Sequence, residues 1–277
     1  PWVEGKRRNQ LKEAFDFENN YCDRLKRIRA LGITWLRFGI PYSQAHLSQH
    51  TYEFHFMDKV VKECEKLGIQ ILADLLHFGL PEWMHEKNPK KPFFQNPHFP
   101  PLFADYVHAF VKRYPSIRYF TIVNEPYVTA SFSAKRGMWN EQKMTDWRDD
   151  RNFIQAVCHI ARASILGRQE IEKVWKEEKR PGKPLFLQND SFELAEAAPD
   201  SGRKKKAERI NLRRFAALDL IFGHEDREMR TYLLKQGMKK TEYEWCMQEG
   251  ASTQTILGID HYPACTQTLD KGGVIHT

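Results

Sequence analysis

Polar and aromatic groups recur at one kind of place in this sequence, directly behind short apolar runs. The run Tyr119-Phe120-Thr121-Ile122-Val123 hands over to Asn124-Glu125-Pro126, and four other runs behave alike. Arg37 lies near the end of residues 33–38, and His77 follows 69–76. Gln188-Asn189-Asp190 close the run that begins at Leu185, and Asp260-His261-Tyr262 follow 255–259. A carboxylic acid, an imidazole, a guanidinium, carboxamides and a phenol are the groups that move protons and hold polar ligands. Each also has a plain structural use: Arg37 as an ion-pair partner, His77 as a satisfied core histidine, Asp260 as a helix cap. Five such clusters at one topological position point instead to a shared site.

Positioning them requires strands that end together. Residues 18–30 place Tyr21, Leu25 and Ile28 at helical spacing, and Gly32 stops that helix before a strand over 33–38. A helix over 56–67 ends at Gly68 before a strand over 69–76, so the unit of helix, Leu-Gly-Ile and strand occurs twice. Further rounds read as helix 102–114 with strand 118–123, and helix 153–176 with strand 185–188. Helices 207–220, 225–235 and 241–248 then lead to strand 255–259. The strands are continuous apolar runs, the mark of a parallel sheet covered by helices. No linker divides the chain; the proline-rich stretch 88–101 sits where a strand-to-helix loop would, and residues 1–277 read as a single domain. Neither G-x-G-x-x-G nor G-x-x-x-x-G-K is present, which removes the glycine signatures of dinucleotide- and phosphate-binding sheets. The expected fold class is α/β, a (β/α)8 TIM-barrel type, with five to six of its eight units evident.

The chain carries 43 Lys and Arg against 36 Asp and Glu, a net charge of +7, and much of the excess sits in SGRKKKAERINLRR, residues 201–214. On a helix, Ile210, Leu212, Phe215 and Leu218 would turn inward while the bases face water. Without interleaved aromatic residues, no nucleic-acid partner is expected. No apolar run approaches the roughly 20 residues of a bilayer span, so no membrane partner is expected. The five cysteines, Cys22, Cys64, Cys158, Cys246 and Cys265, form no C-x-x-C pair and fit thiols in a reducing, cytoplasmic setting. A chain that opens on Pro1 is also compatible with a removed leader.

The order of LGITWLRFGIPYS, LLHFGLPEWM, TIVNEPY and LGIDHYP resembles glycoside hydrolase family 1, the β-glucosidase family, over most of the chain. The resemblance implies a barrel enzyme, without a cofactor or metal, that hydrolyses β-glycosides with retention. Asn-Glu-Pro ends the fourth strand in that family. Glu125 would therefore be the acid that protonates the glycosidic oxygen and then the base that activates water, with Asn124 on the sugar 2-hydroxyl. His77 matches the family's sugar-binding His before Pro-x-Trp. Arg37 matches the Arg that lies beside the nucleophile and favours its ionised form. Tyr262 matches the second Tyr of Asn-Tyr-Tyr, whose hydroxyl contacts that nucleophile. Trp139 and Glu141, in GMWNEQ, would either line an aglycone subsite or anchor their loop.

Retention needs two carboxylates about 5 to 5.5 Å apart. The family's second, in a Thr-Glu-Asn-Gly-like segment ending the seventh strand, has no counterpart in the sequence; VIHT, residues 274–277, reads as the approach to that strand. Trp2, before Val3-Glu4-Gly5, replaces a sugar-binding Gln, and Asp260-His261 replace Asn-Tyr, which makes the surroundings more polar and acidic. Two explanations compete: a fragment of five or six strands, or a barrel with stretches left out. The first leaves open edges that a homo-oligomer or the missing strands would cover. Three functions follow. The first is a β-glycosidase using Glu125, with little normal hydrolysis if the nucleophile is lacking. The second is a catalytically impaired barrel that binds carbohydrate or a partner chain. The third is a metal hydrolase using His46, His50 and His55, which lack the H-E-x-x-H spacing of a helical zinc site.

Overall fold

The computed structural model describes every residue except 1, 4–5, 14–15, 87–92, 142–143, 147, 251–254, 263–265 and 277. Glu4, Gly5, Cys265, Thr277 and part of the proline-rich stretch therefore lie outside the described residues. The main sheet has five parallel strands: β1 (Trp35–Gly39), β2 (Gln70–Asp74), β3 (Tyr119–Thr121), β4 (Leu185–Ser191) and β5 (Thr255–Asp260). They lie side by side in chain order. A doubly wound sheet reverses its order at a switch point; this one advances in a single direction, as a barrel wall does.

Helices α1 (Phe17–Ala30), α2 (His55–Leu67), α3 (Phe99–Arg113) and α4 (Arg151–Glu177) cover it. In α2 the buried Met57, Val60, Val61 and Cys64 recur at i, i+3, i+4 and i+7 while Lys59, Lys62 and Lys66 face water, the pattern of a helix laid on a core. Arg113 of α3 grips Asp58 of α2 with two hydrogen bonds of 2.7 and 2.6 Å, so the two helices meet at a bidentate pair. Phe99, Phe103, Tyr106 and Phe110 line the inner face of α3, all fully buried. Cys22, Cys64, Cys158 and Cys246 are free thiols.

The structure departs from the sequence reading at the basic helix and at residues 274–276. The single helix over 207–220 is two, α5 (Lys204–Arg213) and α6 (Ala216–Phe222), broken at Arg214-Phe215; α7 (Arg227–Lys235) and α8 (Lys240–Glu249) follow. The break changes the helical register, so Phe215 is 44% exposed rather than inward. Arg209 and Arg213 turn in towards the carboxylate of Asp150 rather than standing in water. Val274–His276, read as the approach to a further barrel strand, instead pairs antiparallel with Thr266–Leu269, which runs parallel to Leu194–Ala197 in a small separate sheet. The turn responsible is Asp270-Lys271-Gly272-Gly273, where the Asp270 carboxylate accepts the Gly273 N–H at 2.6 Å.

Ile256, Leu257 and Ile259 of β5 are 52–60% exposed and Trp35 of β1 is 50% exposed, so the edge strands present apolar side chains among the described residues. Among those residues no helix is long and apolar enough to cross a membrane.

Candidate active site

Each strand of the main sheet delivers one polar group to the same C-terminal rim, and these groups are hydrogen-bonded in series. From β1, Arg37 places Nη2 2.8 Å from Asp74 Oδ2 at the end of β2. The same nitrogen donates to Asn124 Oδ1 beyond β3 at 2.5 Å and to Asn189 Oδ1 in β4 at 3.0 Å. Asn189 Nδ2 donates in turn to Asn124 Oδ1 at 2.8 Å and to the Asp260 carboxylate ending β5. Gly258 makes that last contact sterically possible, because a Cβ there would stand 2.9 Å from Asn189 Cβ. His77 joins through Nδ1, 2.7 Å from Asp74 Oδ2.

Glu125 sits at the centre on a strained elbow. Its φ of 38° and ψ of 68° are left-handed, a conformation uncommon for a residue with a Cβ. The short helix Pro126–Ala130 starts immediately after it. Asp190 holds that turn, accepting the Tyr127 N–H at 3.0 Å and the Ser191 N–H at 2.9 Å. The Glu125 side chain is buried and accepts a long hydrogen bond of 3.5 Å from the exposed Tyr262 hydroxyl. Burial, a hydrogen bond with Asp260, and the nearby charges of Asp260 and Asp190 raise its pKa to about 8, against the weaker pull of Arg37. Burial likewise lifts Asp190 to about 8 and raises Asp74 above the ordinary range. A carboxylic acid still protonated at neutral pH is equipped to give a proton away.

Of the residues singled out in the sequence, Arg37, His77, Asn124, Glu125 and Tyr262 thus fall within one network. Trp139 stands beside it, with ring centres 4.6 Å from Phe78 and 4.7 Å from Phe132, and Phe78 is in turn 4.5 Å from the His77 ring. Glu141 turns inward and accepts the Phe94 N–H at 3.0 Å, so it anchors the loop that carries Trp139. The three histidines at 46, 50 and 55 are not brought together as a ligand set. His46 is buried against Tyr106 and bonded to the Tyr42 hydroxyl, its pKa pushed down to about 4 by burial, whereas His50 and His55 are exposed. Among the described residues no group of His, Cys, Asp and Glu is arranged to hold a metal ion.

Asp74 is the member that a reading by strand ends passes over, because Leu75-Leu76 extend the apolar run beyond the true end of β2. Its three-residue spacing from His77 is the signal that marks it. Asp260, which looks like a helix cap when taken alone, is a direct neighbour of the central acid.

A one-way parallel sheet whose strand ends converge on a buried acid defines the class of (β/α)8-barrel enzymes. The family model of Glycosyl hydrolase family 1 matches residues 4–274, and the chain belongs to that family. The fold is similar to the family 1 β-glucosidase from Thermotoga maritima, with a TM-score of 0.72 and 16% identity over 95% of this chain and 57% of that one. It is also similar to the AHE enzyme from Alicyclobacillus herbarius, with a TM-score of 0.75 and 20% identity over 95% of this chain and 58% of that one. In sequence, 118 residues are 28% identical to a 6-phospho-β-galactosidase of Staphylococcus epidermidis, covering 40% of this chain and 24% of that protein. The chain thus spans about a quarter of that relative's length and under three fifths of the two structures.

Proposed function

We propose that the rim of the sheet is a β-glycoside-hydrolysing site in which Glu125 is the general acid and base. The observation that carries this reading is the buried Glu125 on its left-handed elbow, with a pKa near 8 and its neighbour Asn124 locked by Arg37 and Asn189. Glu125 gives its proton to the glycosidic oxygen as the bond from that oxygen to the anomeric carbon breaks and the aglycone leaves as its alcohol; the carboxylate left behind then takes a proton from the water whose oxygen bonds to the anomeric carbon. Asn124 and His77 hold sugar hydroxyls, the second oriented by Asp74. Trp139 offers an aromatic face to the outer part of the ligand. Asp260 shares the proton of Glu125, and Tyr262 steadies the same carboxyl. Family membership supports the reaction class, and the relatives' names suggest aryl β-glucosides and aryl 6-phospho-β-galactosides as first substrates.

The test compares the protein with Glu125→Gln on aryl β-glycosides of graded leaving-group acidity. The expected loss is on the order of 10²- to 10⁴-fold where the leaving oxygen needs protonation, and far smaller for a dinitrophenyl leaving group. Equal rates for both proteins across the series would overturn the assignment.

A second reading is that the rim binds carbohydrate without normal turnover, since the Trp139 face and the fixed Asn124 and His77 side chains serve the holding of a sugar by themselves. Saturable binding of a sugar mimic with no hydrolysis, and no rescue by azide or formate, would select it. A homo-oligomer that covers the β1 and β5 edges is compatible with either reading, and light scattering decides it.

A further inference from the structure

Three residues with a Cβ adopt left-handed backbone around the loop that carries Trp139: Phe78 at a φ of 66°, Phe93 at 44° and Asn140 at 24°. Such strain persists only where the surroundings over-determine it. Here the ties can be traced. Asn140 is buried, and its Nδ2 donates to the Phe78 carbonyl at 3.0 Å and to Ser133 Oγ at 2.9 Å. Glu141, next in the chain, reaches the turn Phe93–Gln95 and accepts the Phe94 N–H through Oε1 at 3.0 Å. The N–H groups of Met138 and Trp139 both meet the Phe132 carbonyl, at 2.9 and 3.1 Å. One carboxamide and one carboxyl therefore join the three strained positions to the Trp139 ring, which lies against Phe78 and Phe132 beside His77.

The carboxyl is the tie that a change of charge can break. Its second oxygen, Oε2, is buried and meets no hydrogen-bond partner among the described residues. The elements packed around it supply hydrogen bonds and, among those residues, no countercharge. The turn Phe93–Gln95 and the start of α3 bring aromatic rings, with Phe94 5.4 Å from Phe99. The segment Ser131–Lys135 brings the Ser133 hydroxyl and Lys135, whose Nζ is committed to Asp150. From α4 comes His159, its Nδ1 2.8 Å from the Phe94 carbonyl, and from the loop after β2 comes His77, bonded to Asp74. A neutral acid fits such a place. A carboxylate there is costly, because a buried charge needs a partner.

On the reading that Trp139 faces the outer part of a glycoside, we propose that Glu141 is a positioning residue: as a neutral acid it fixes the Trp139 face, and on ionising it releases that face. Burial pushes the Glu141 carboxyl up to about 8, against the hydrogen bonds from the Phe94 N–H and the Ser133 hydroxyl. The acid is therefore neutral below that pH, where Trp139 is held, and ionised above it. Hydrating the carboxylate lifts the loop, and lifting also relieves the left-handed turn at Asn140. The subsite then loses its aromatic wall while the network around Glu125 keeps its own bonds.

The indole ¹⁵N–H resonance of Trp139, assigned with Trp139→Phe and followed in the whole protein from about pH 6 to 9 without ligand, tests this. The expected result is a transition near pH 8 that is absent in Glu141→Gln and persists in Glu125→Gln. A flat resonance in the parent would overturn the proposal, as would an unchanged transition in Glu141→Gln. Should Glu141→Gln not fold, Glu125→Gln decides alone: the ¹³C-labelled glutamate carboxyl that still titrates near pH 8 must move together with the Trp139 resonance. A second measurement reads the ligand. The preference for phenyl over methyl 1-thio-β-glucoside is expected to fall about tenfold across the transition in the parent and to hold in Glu141→Gln. A Trp139 transition without that fall would leave Glu141 in its role and remove Trp139 from the glycoside site, so the two readings fail separately.

Discussion

Two buried carboxylates in this molecule have opposite neighbours. Glu125 is packed among other acids, Asp260 and Asp190, and the Arg37 guanidinium opposes them weakly. Asp150, fully buried, is met by three cations: Lys135 Nζ at 3.0 Å, Arg209 Nη2 at 2.7 Å and Arg213 Nη2 at 2.6 Å, with the Tyr232 hydroxyl donating at 2.8 Å. Burial raises the pKa of both. Around Asp150 the charges of Arg213 and Lys135 outweigh it and hold that carboxyl below the usual range, whereas around Glu125 the neighbours add to it. Burial alone therefore does not mark a working acid; the sign of what surrounds it does. Asp150 is a clasp that ties the segment before α4 to α5 and α7, and Glu125 is an acid kept ready to react.

The largest effect is expected at the clasp. Asp150→Asn keeps the shape but sets a neutral amide against the buried Lys135 and Arg213, which costs about 3–5 kcal/mol in urea unfolding. Because the folded pKa of Asp150 is depressed, its contribution is present above the unfolded carboxylate pKa and is lost as pH falls through the folded value. Acid should therefore loosen this region only once the pH is below the ordinary carboxylate range. A variant as stable as the parent would show that the clasp is ornamental.

Glu125 responds in the other direction. Its folded pKa is raised, so between about 4.5 and 8 the unfolded chain ionises while the folded acid keeps its proton, and stability falls as pH rises. Asp190, also near 8, adds a similar slope. Burial lifts Glu141 to about 8 as well and raises Asp74, so Glu125→Gln should remove roughly a third or less of the loss of stability between pH 5 and 8, a gain of about 2–3 kcal/mol at pH 8 by urea unfolding. An unchanged slope would place the proton elsewhere.

The comparison also separates what the sequence reveals from what it conceals. Asn124-Glu125-Pro126 behind an apolar run, and the repeated Leu-Gly-Ile before β1 and β2, are local patterns, and with them the barrel and most of the rim are legible. The clasp is not. Arg209, Arg213 and Tyr232 reach Asp150 across 59 to 82 residues of chain, and a run of bases with an amphipathic period reads as a wetted face until the break at Arg214-Phe215 is known. The elbow at Glu125 depends on Asp190, 63 residues beyond the Tyr127 amide that it caps, so no local window contains both halves. The hairpin at Asp270-Lys271-Gly272-Gly273, by contrast, is written locally, in the Asp and the paired glycines that a tight turn uses.

Asp260→Asn perturbs the surroundings of Glu125 at smaller cost. Removing one acid from around Glu125 while keeping a polar side chain for Asn189 should lower the Glu125 pKa by on the order of one unit, the equivalent of ~1.4 kcal/mol. Carboxyl chemical shifts of ¹³C-labelled glutamate read this without any turnover. An unmoved titration would leave burial and Asp190 as the causes and would remove Asp260 from the proton's path.

The smallest loss of stability tests whether the clasp is held by charge or by hydrogen bonds. Tyr232→Phe deletes only the hydroxyl that donates to Asp150 Oδ2 at 2.8 Å, and the three cations stay in place. A hydroxyl donating to a carboxylate contributes about 1.5–3 kcal/mol, and because the oxygen it leaves still has Arg209 and Arg213 for partners the loss falls to about 1–2 kcal/mol. The expected loss in urea unfolding therefore lies in that range, well short of the Asp150→Asn loss, with the Glu125 titration unmoved. A loss as large as that of Asp150→Asn would mean that the cations cannot hold the carboxylate without the phenol. The contrast between the two buried acids would then rest on hydrogen-bond geometry rather than on the sign of the surrounding charge.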